Sequence, residues 1–175
     1  HQGWDWLAEH DGGGRSLELI NPSLSNKYGQ NWASSFVEAG TPGAANSVFS
    51  IDIPPMILEV RHSPIVPRST SRVRITARLL DEKNGDLIAF LYFRPDSEET
   101  FQSLPLLDDG AHGDGIAGDG LFGQAIPAYP DGTVVEFYVL ANDAQNNSRS
   151  YPAVSVSEGE ARANLIYQVD DAVVD

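Results

Sequence analysis

The side chains best placed for chemistry are four aspartates in one glycine-rich stretch, Leu107-Asp108-Asp109-Gly110-Ala111-His112-Gly113-Asp114-Gly115-Ile116-Ala117-Gly118-Asp119-Gly120. Gly113-Asp114-Gly115 recurs as Gly118-Asp119-Gly120, and Asp109 continues the five-residue interval upstream. Glycines let a backbone take positive φ and curl tightly, which can turn separated carboxylates and carbonyls inward. Calcium takes about six to eight oxygens at roughly 2.3–2.6 Å in a flexible shell, so Asp109, Asp114 and Asp119 are the candidate ligands. Asp108 is a weaker fourth, because neighbouring carboxylates share an ion only if the backbone twists between them. The same residues support a metal-free alternative: aspartate side chains accept bonds from backbone N–H groups two residues on and stabilise a compact loop unaided.

The stretch matches neither of two standard calcium loops. An EF-hand places oxygen ligands at its first, third and fifth positions and a glutamate at its twelfth. Counting from Asp109 puts Ala111 and Gly113 at the third and fifth positions, and counting from Asp114 puts Ile116 and Gly118 there. The repeat-toxin pattern needs a stacked array of copies, which is absent. His112 reads as a solvent-facing turn residue, since a hard cation has little use for imidazole.

Other chemistries are poorly served. His1, His10, His62 and His112 lie at no zinc-binding spacing, and there is no cysteine to supply a thiolate, a disulfide or a nucleophile. Neither a Gly-x-Ser-x-Gly elbow nor a glycine-rich phosphate loop is present. Glu98-Glu99 and Asp108-Asp109 could serve glycoside hydrolysis only at a suitable separation in space, and they read as solvated acidic turns. Trp4, Trp6, Tyr28 and Trp32 could form a sugar-stacking platform; a core or docking role fits the tryptophans better. Arg72, Arg74 and Arg78 share one strand face and read as a solvated sheet surface.

The elements that must position these residues are strands. Met56, Leu58, Val60 and His62 alternate with Ile57, Glu59 and Arg61, and Val73, Ile75, Ala77 and Leu79 alternate with Arg72, Arg74, Thr76 and Arg78, each a period of two. Leu87–Phe93 is a nearly continuous apolar run suited to a central strand. Phe101–Leu107 and Leu121–Pro127 flank the Asp/Gly stretch. In the next run, Thr133, Val135, Phe137 and Val139 form one face; Val134, Tyr138 and Leu140 on the other suggest burial on both sides. Ser148–Val154 suits an edge, where Pro152 is tolerable. With turn signals at Asn84-Gly85 and Asp131-Gly132, this is the pattern of an all-β, Ig-like antiparallel β-sandwich of about seven strands over residues 53–156.

Residues 1–52, rich in Gly, Asn and Ser, hold one clear strand candidate, Ser16–Ile20, and read as an irregular N-terminal segment. Residues 157–175 are acidic and read as a linker to a further domain, with one small strand candidate at Ala163–Val169. The opening His1-Gln2-Gly3-Trp4 reads as the interior of a longer chain.

Two strings carry a family resemblance. Gly13-Gly14-Arg15-Ser16-Leu17-Glu18-Leu19-Ile20-Asn21-Pro22, Asn31-Trp32-Ala33-Ser34-Ser35 and Gly40-Thr41-Pro42-Gly43-Ala44-Ala45-Asn46 resemble the C-terminal end of a bacterial lamin-tail domain. Leu107–Gly120, with Phe137-Tyr138-Val139-Leu140-Ala141-Asn142-Asp143-Ala144, is similar to the Ig-like or fibronectin-type-III-like modules that follow lamin-tail domains in large secreted bacterial proteins. Such proteins often carry a CotH-like kinase domain, and Ala163–Asp170 looks like the lead-in to one. No kinase motif lies within this chain. The resemblance implies an extracellular or cell-surface setting, with other domains of the same polypeptide as partners.

The formal net charge of −14, from 25 acidic and 11 basic side chains, repels phosphate backbones and anionic lipid, so nucleic acid and direct membrane insertion are not expected. No apolar run approaches the ~20 residues needed to span a bilayer. The function expected from sequence is a non-catalytic structural, adhesion or spacer module of a secreted or surface protein, with Ca²⁺ as its candidate ion. The alternative is a carbohydrate-binding module with polysaccharide or a surface protein as partner.

Overall fold

A computed structural model describes residues 12–83, 85–155 and 161–173. Trp4, Trp6, His1 and His10, and the Asn84 half of the Asn84-Gly85 turn, lie outside the described residues.

The protein is all-β. Its centre is a sandwich of two antiparallel sheets. One has the order β3 (Met56–Ser63), β4 (Val73–Leu80), β7 (Leu121–Ile126). The other has the order β12 (Leu165–Gln168), β8 (Val134–Asn142), β5 (Ile88–Pro95), β6 (Gln102–Leu106), with β9 (Ser148–Tyr151) also on β8. β8 pairs with β5 along one edge, while its other edge is shared: Val134–Phe137 faces β12 and Val139–Asn142 faces β9.

Period-two alternation builds the core. Val73, Ile75, Ala77 and Leu79 of β4 point inward, opposite Ala89, Leu91 and Phe93 of β5 and Val135, Phe137, Val139 and Ala141 of β8, all buried. Burial on both faces, expected for the Thr133–Leu140 run, is only half realised. Val134, Glu136, Tyr138 and Leu140 are half-exposed, and the last three meet Arg94, Tyr92 and Phe90 across β5. There Tyr92 and Tyr138 stack with ring centroids 4.7 Å apart, Phe101 meets Tyr138 edge-on, and Arg94 lies over the Phe101 ring. These rings cover one another and so reduce the apolar surface left to water.

β3 departs from the expected alternation. Met56, Ile57 and Leu58 are all buried, and the register against β4 shifts between Leu58 and Arg61, where Glu59 has φ 50°. A bulge there reverses the phase of everything after it, and it brings Glu59 to 3.6 Å from Arg78.

The C-terminal stretch corrects the linker expectation. β12, inside the predicted Ala163–Val169, completes the larger sheet and places Tyr167 and Val169 in the core. Beyond it the Asp170 N–H reaches the Pro67 carbonyl, and the Asp171 carboxylate accepts bonds from the Ser69 N–H and hydroxyl, both at 2.7 Å. An unpaired edge on β8 recruits a short strand whose local sequence is dominated by its acidic neighbours. The expected Ser148–Val154 strand is also divided: β9 ends before Pro152, and β10 (Val154–Ser155) pairs with β11 (Ala161–Arg162).

The N-terminal segment contains a two-stranded sheet, β1 (Arg15–Leu19) with β2 (Trp32–Glu38), so it holds one strand more than expected. A polar network holds it together. Glu18, Asn21, Gln30, Asn31, Ser34 and Ser35 are buried, and Asn21 and Asn31 bond reciprocally through the Asn31 amide.

Candidate functional site

The Asp/Gly loop joins β6 to β7 and so carries the chain from the larger sheet to the smaller one. Its ends are tied by reciprocal backbone bonds between Leu107 and Gly123, 3.0 and 2.7 Å. Gly110, Gly113, Gly115, Gly118 and Gly120 all have φ between 75° and 92°, and these repeated left-handed steps curl the loop back on itself. Gly123 is required for a different reason: a Cβ there would lie 2.6 Å from the His112 carbonyl oxygen and 3.1 Å from the Asp114 Cβ.

The structure places all four predicted carboxylates in this loop and aims each at backbone N–H groups. Asp114 is fully buried. Its Oδ2 accepts the N–H groups of Asp109 (2.6 Å) and Gly110 (2.7 Å), and its Oδ1 that of His112 (2.8 Å). Burial pushes this carboxyl upward, but the N–H groups of Gly110, His112 and Asp109 outweigh it and hold the group below the usual carboxylate range. Asp108 bridges the N–H groups of Gly118 and Gly120, 2.8 Å each, across the loop mouth. Asp119 accepts from Leu121 at 2.8 Å and Ile116 at 3.2 Å. Asp109 accepts from the Ala111 N–H and contacts His112 Nδ1 at 2.9 Å; the His112 bond, then that of Ala111, holds its carboxyl low. His112 therefore closes a local turn, as a half-buried rather than a solvent-facing residue.

This donor set does not fit a calcium ion. Asp114 Oδ2 uses both lone pairs on N–H donors and is sealed from solvent. Asp108 and Asp119 each spread their two oxygens over two separate amides. Among the described residues, no three Asp, Glu or His side chains gather round a point where a metal could sit. Of the two chemistries open to the sequence, the geometry supports the self-capped loop.

The loop also forms one wall of a cleft of about 730 Å³, opposite the β4–β5 connection. Leu79, Leu87 and Phe122 supply apolar surface, and Asp81, Asp86, Asp108 and Asp119 supply the charge. Sequence reasoning missed Asp81. It continues the inward register of Leu79 by two residues, which is a legible signal, but it had no partner to suggest a role.

A second missed constellation joins the N-terminal segment to the sandwich. The buried Gln30 side chain mimics a backbone amide on the free edge of β3: its Nε2 donates to the Ile57 carbonyl at 2.7 Å, and its Oε1 accepts the Ile57 N–H at 2.8 Å. Nearby, Asp52 pairs with Lys83 at 2.9 Å and accepts from Asn147 at 3.1 Å, the Glu82 carboxylate accepts the Ile53 N–H, and Arg149 reaches the Gln30 carbonyl at 3.2 Å. Within the segment, Glu18 is the hub: Ser16 and Thr41 donate to Oε1, and the Ser47 N–H and hydroxyl donate to Oε2. Burial works to raise this carboxyl, yet the bonds from Thr41 and Ser47 bring it down to about 2.

The remaining predicted residues do not assemble. Tyr28 and Trp32 are half-buried, and Trp32 Nε1 donates to the Asn26 carbonyl. Glu98 and Glu99 are exposed turn residues. Arg72 and Arg74 are exposed, and Arg78 is engaged by Glu59 and the Asp119 carbonyl. No described helix is long and apolar enough to cross a membrane. Compared with known protein families and with curated proteins, the chain matches none.

Proposed function

We propose that this protein is a non-catalytic, Ig-like spacer module of a multidomain secreted or cell-surface protein, one that holds its flanking segment in a fixed orientation. The observation that carries the reading is the two-bond union of the Gln30 side chain with the main chain of Ile57. It extends the β3 edge with an amide from the N-terminal segment in a buried setting, where breaking it leaves unsatisfied donors and acceptors. A flexible tether has no use for such a joint. The anchored C-terminal strand serves the same end, because it fixes the other exit of the sandwich.

The secreted setting rests on the resemblance of Gly40–Asn46 and Leu107–Gly120 to modules of secreted bacterial proteins. Calcium is not part of the proposal, since the carboxylates of the described residues do not converge on one point. The test is the unfolding of the whole chain and of Gln30→Ala. A spacer with a fixed joint unfolds in one transition, and loss of the Gln30 bonds splits it into two, with the N-terminal segment melting first. Two separate transitions in the unaltered chain, or turnover on a glycosidase or esterase panel, would refute the reading.

A further inference from the structure

The cleft beside the Asp/Gly loop has the wrong electrostatics for an inert depression. Four aspartates line it, and no Lys, Arg or His does among the described residues. Asp81 differs from the other three. It is 8% exposed, its Oδ2 accepts the Lys83 N–H at 3.0 Å, and its Oδ1 has no hydrogen-bond partner among the described residues. A buried carboxylate oxygen without a donor is costly, and the described residues supply none. Asp143 and Asp52 worsen its position: burial first, then the fields of these two carboxylates, push the Asp81 carboxyl upward.

We propose that this cleft receives the cationic end of a lysine or arginine side chain presented by a partner polypeptide. Three properties favour that occupant. The lining lacks a cation and its charge is uniformly negative, so a positive group gains from every wall. Leu79, Leu87 and Phe122 match the aliphatic stem of a long basic side chain, which buries its methylenes while its head seeks acceptors. An ammonium or guanidinium group brings several N–H donors, whereas the Asp108 and Asp119 carboxylates keep acceptor capacity beyond their one backbone bond per oxygen. A bare divalent ion is less well served, because the carboxylates do not converge. The whole-molecule charge of −14 favours the approach of a basic partner.

The experiment is an amide-resolved NMR titration of the full chain with Nα-acetyl-arginine N-methylamide. Parallel arms use the neutral norleucine analogue and calcium chloride. The expected result is saturable shifts at Leu79, Asp81, Leu87 and Phe122 with the arginine compound, about tenfold weaker binding of the norleucine compound, and a similar loss in Asp81→Asn. Asparagine can keep an acceptor for the Lys83 N–H, so this variant tests the charge. If Asp81→Asn loses its dispersed spectrum, the exposed Asp86→Asn and a salt series on the unaltered chain decide instead, with weaker binding expected in both. The proposal is overturned by an absence of saturable shifts in the cleft, by equal binding of the neutral analogue, or by undiminished binding in a folded Asp81→Asn. It is equally overturned if calcium chloride alone produces the cleft shifts, or if neither Asp86→Asn nor added salt weakens the probe.

Discussion

Replacing Asp114 is the sharpest probe of how the corner loop is held. The carboxylate is fully buried and accepts three backbone N–H groups at 2.6–2.8 Å. Hydrogen bonds to a charged acceptor contribute about 1.5–3 kcal/mol each in isolation. The three share one acceptor group, and the Asp109 and Gly110 amides belong to exposed residues that water can partly re-solvate. Simple addition therefore overstates the loss, and about 3 kcal/mol is the expected cost of Asp114→Ala. Asp114→Asn is graded below it. Its oxygen can keep the Asp109 and Gly110 bonds, but its amide group then meets the His112 N–H donor to donor, for a loss of about 1–2 kcal/mol. Urea unfolding reads the difference: with a slope near 2 kcal/mol/M, the alanine variant unfolds about 1.5 M earlier and the asparagine variant lies between it and the parent. A midpoint shift below about 0.3 M for Asp114→Ala would refute the claim that this carboxylate holds the loop.

Four further outcomes are expected. Gln30→Ala costs about 1–3 kcal/mol and speeds hydrogen exchange at the Ile57 amide far more than in β4 or β8, as native-state exchange would record. Gly123→Ala forces the His112 carbonyl and Asp114 away from β7, so its thermal midpoint falls despite an ordinary strand conformation, and an unchanged midpoint would contradict the close approach. The Glu18 carboxyl lies at about 2 against an ordinary value of 4.5, so its stabilising contribution is present above pH 4.5 and is lost as pH falls toward 2; Glu18→Gln should flatten the acid limb of the stability profile in that window. Unfolding midpoints in excess Ca²⁺ and in chelator should coincide, whereas an ion held only by the native state at about a hundred times its Kd would add about 2.7 kcal/mol.

What could be read from sequence followed the range of the interaction. β4, β5 and β8 were legible because burial alternates residue by residue, and the inward residues Val73 to Leu79 follow that pattern. β3 lost its phase at Glu59, where a bulge inserts a step that periodicity cannot foresee. β12 was legible only as a small candidate, since its membership depends on the open edge of β8 and on Ser69 meeting Asp171 across the fold. In the Asp/Gly loop the residues were found but their target was not. Carboxylate spacing is the same whether the oxygens face an ion or amides, and the curl of the glycines decides. Gln30 gave no signal at all, because a buried amide that pairs with a strand edge 27 residues away looks like any polar side chain in a polar segment.

The fixed joint between the N-terminal segment and the sandwich is the centre of this account, and amide ¹⁵N relaxation tests it most directly. Rotational correlation times fitted separately to β1 and β2 and to β4, β5 and β8 should agree, with both sets reporting one body of the full chain's mass. A distinctly shorter time for β1 and β2 would mean that Gln30, Asp52 and Arg149 do not hold the segment, and the spacer reading would fall with them.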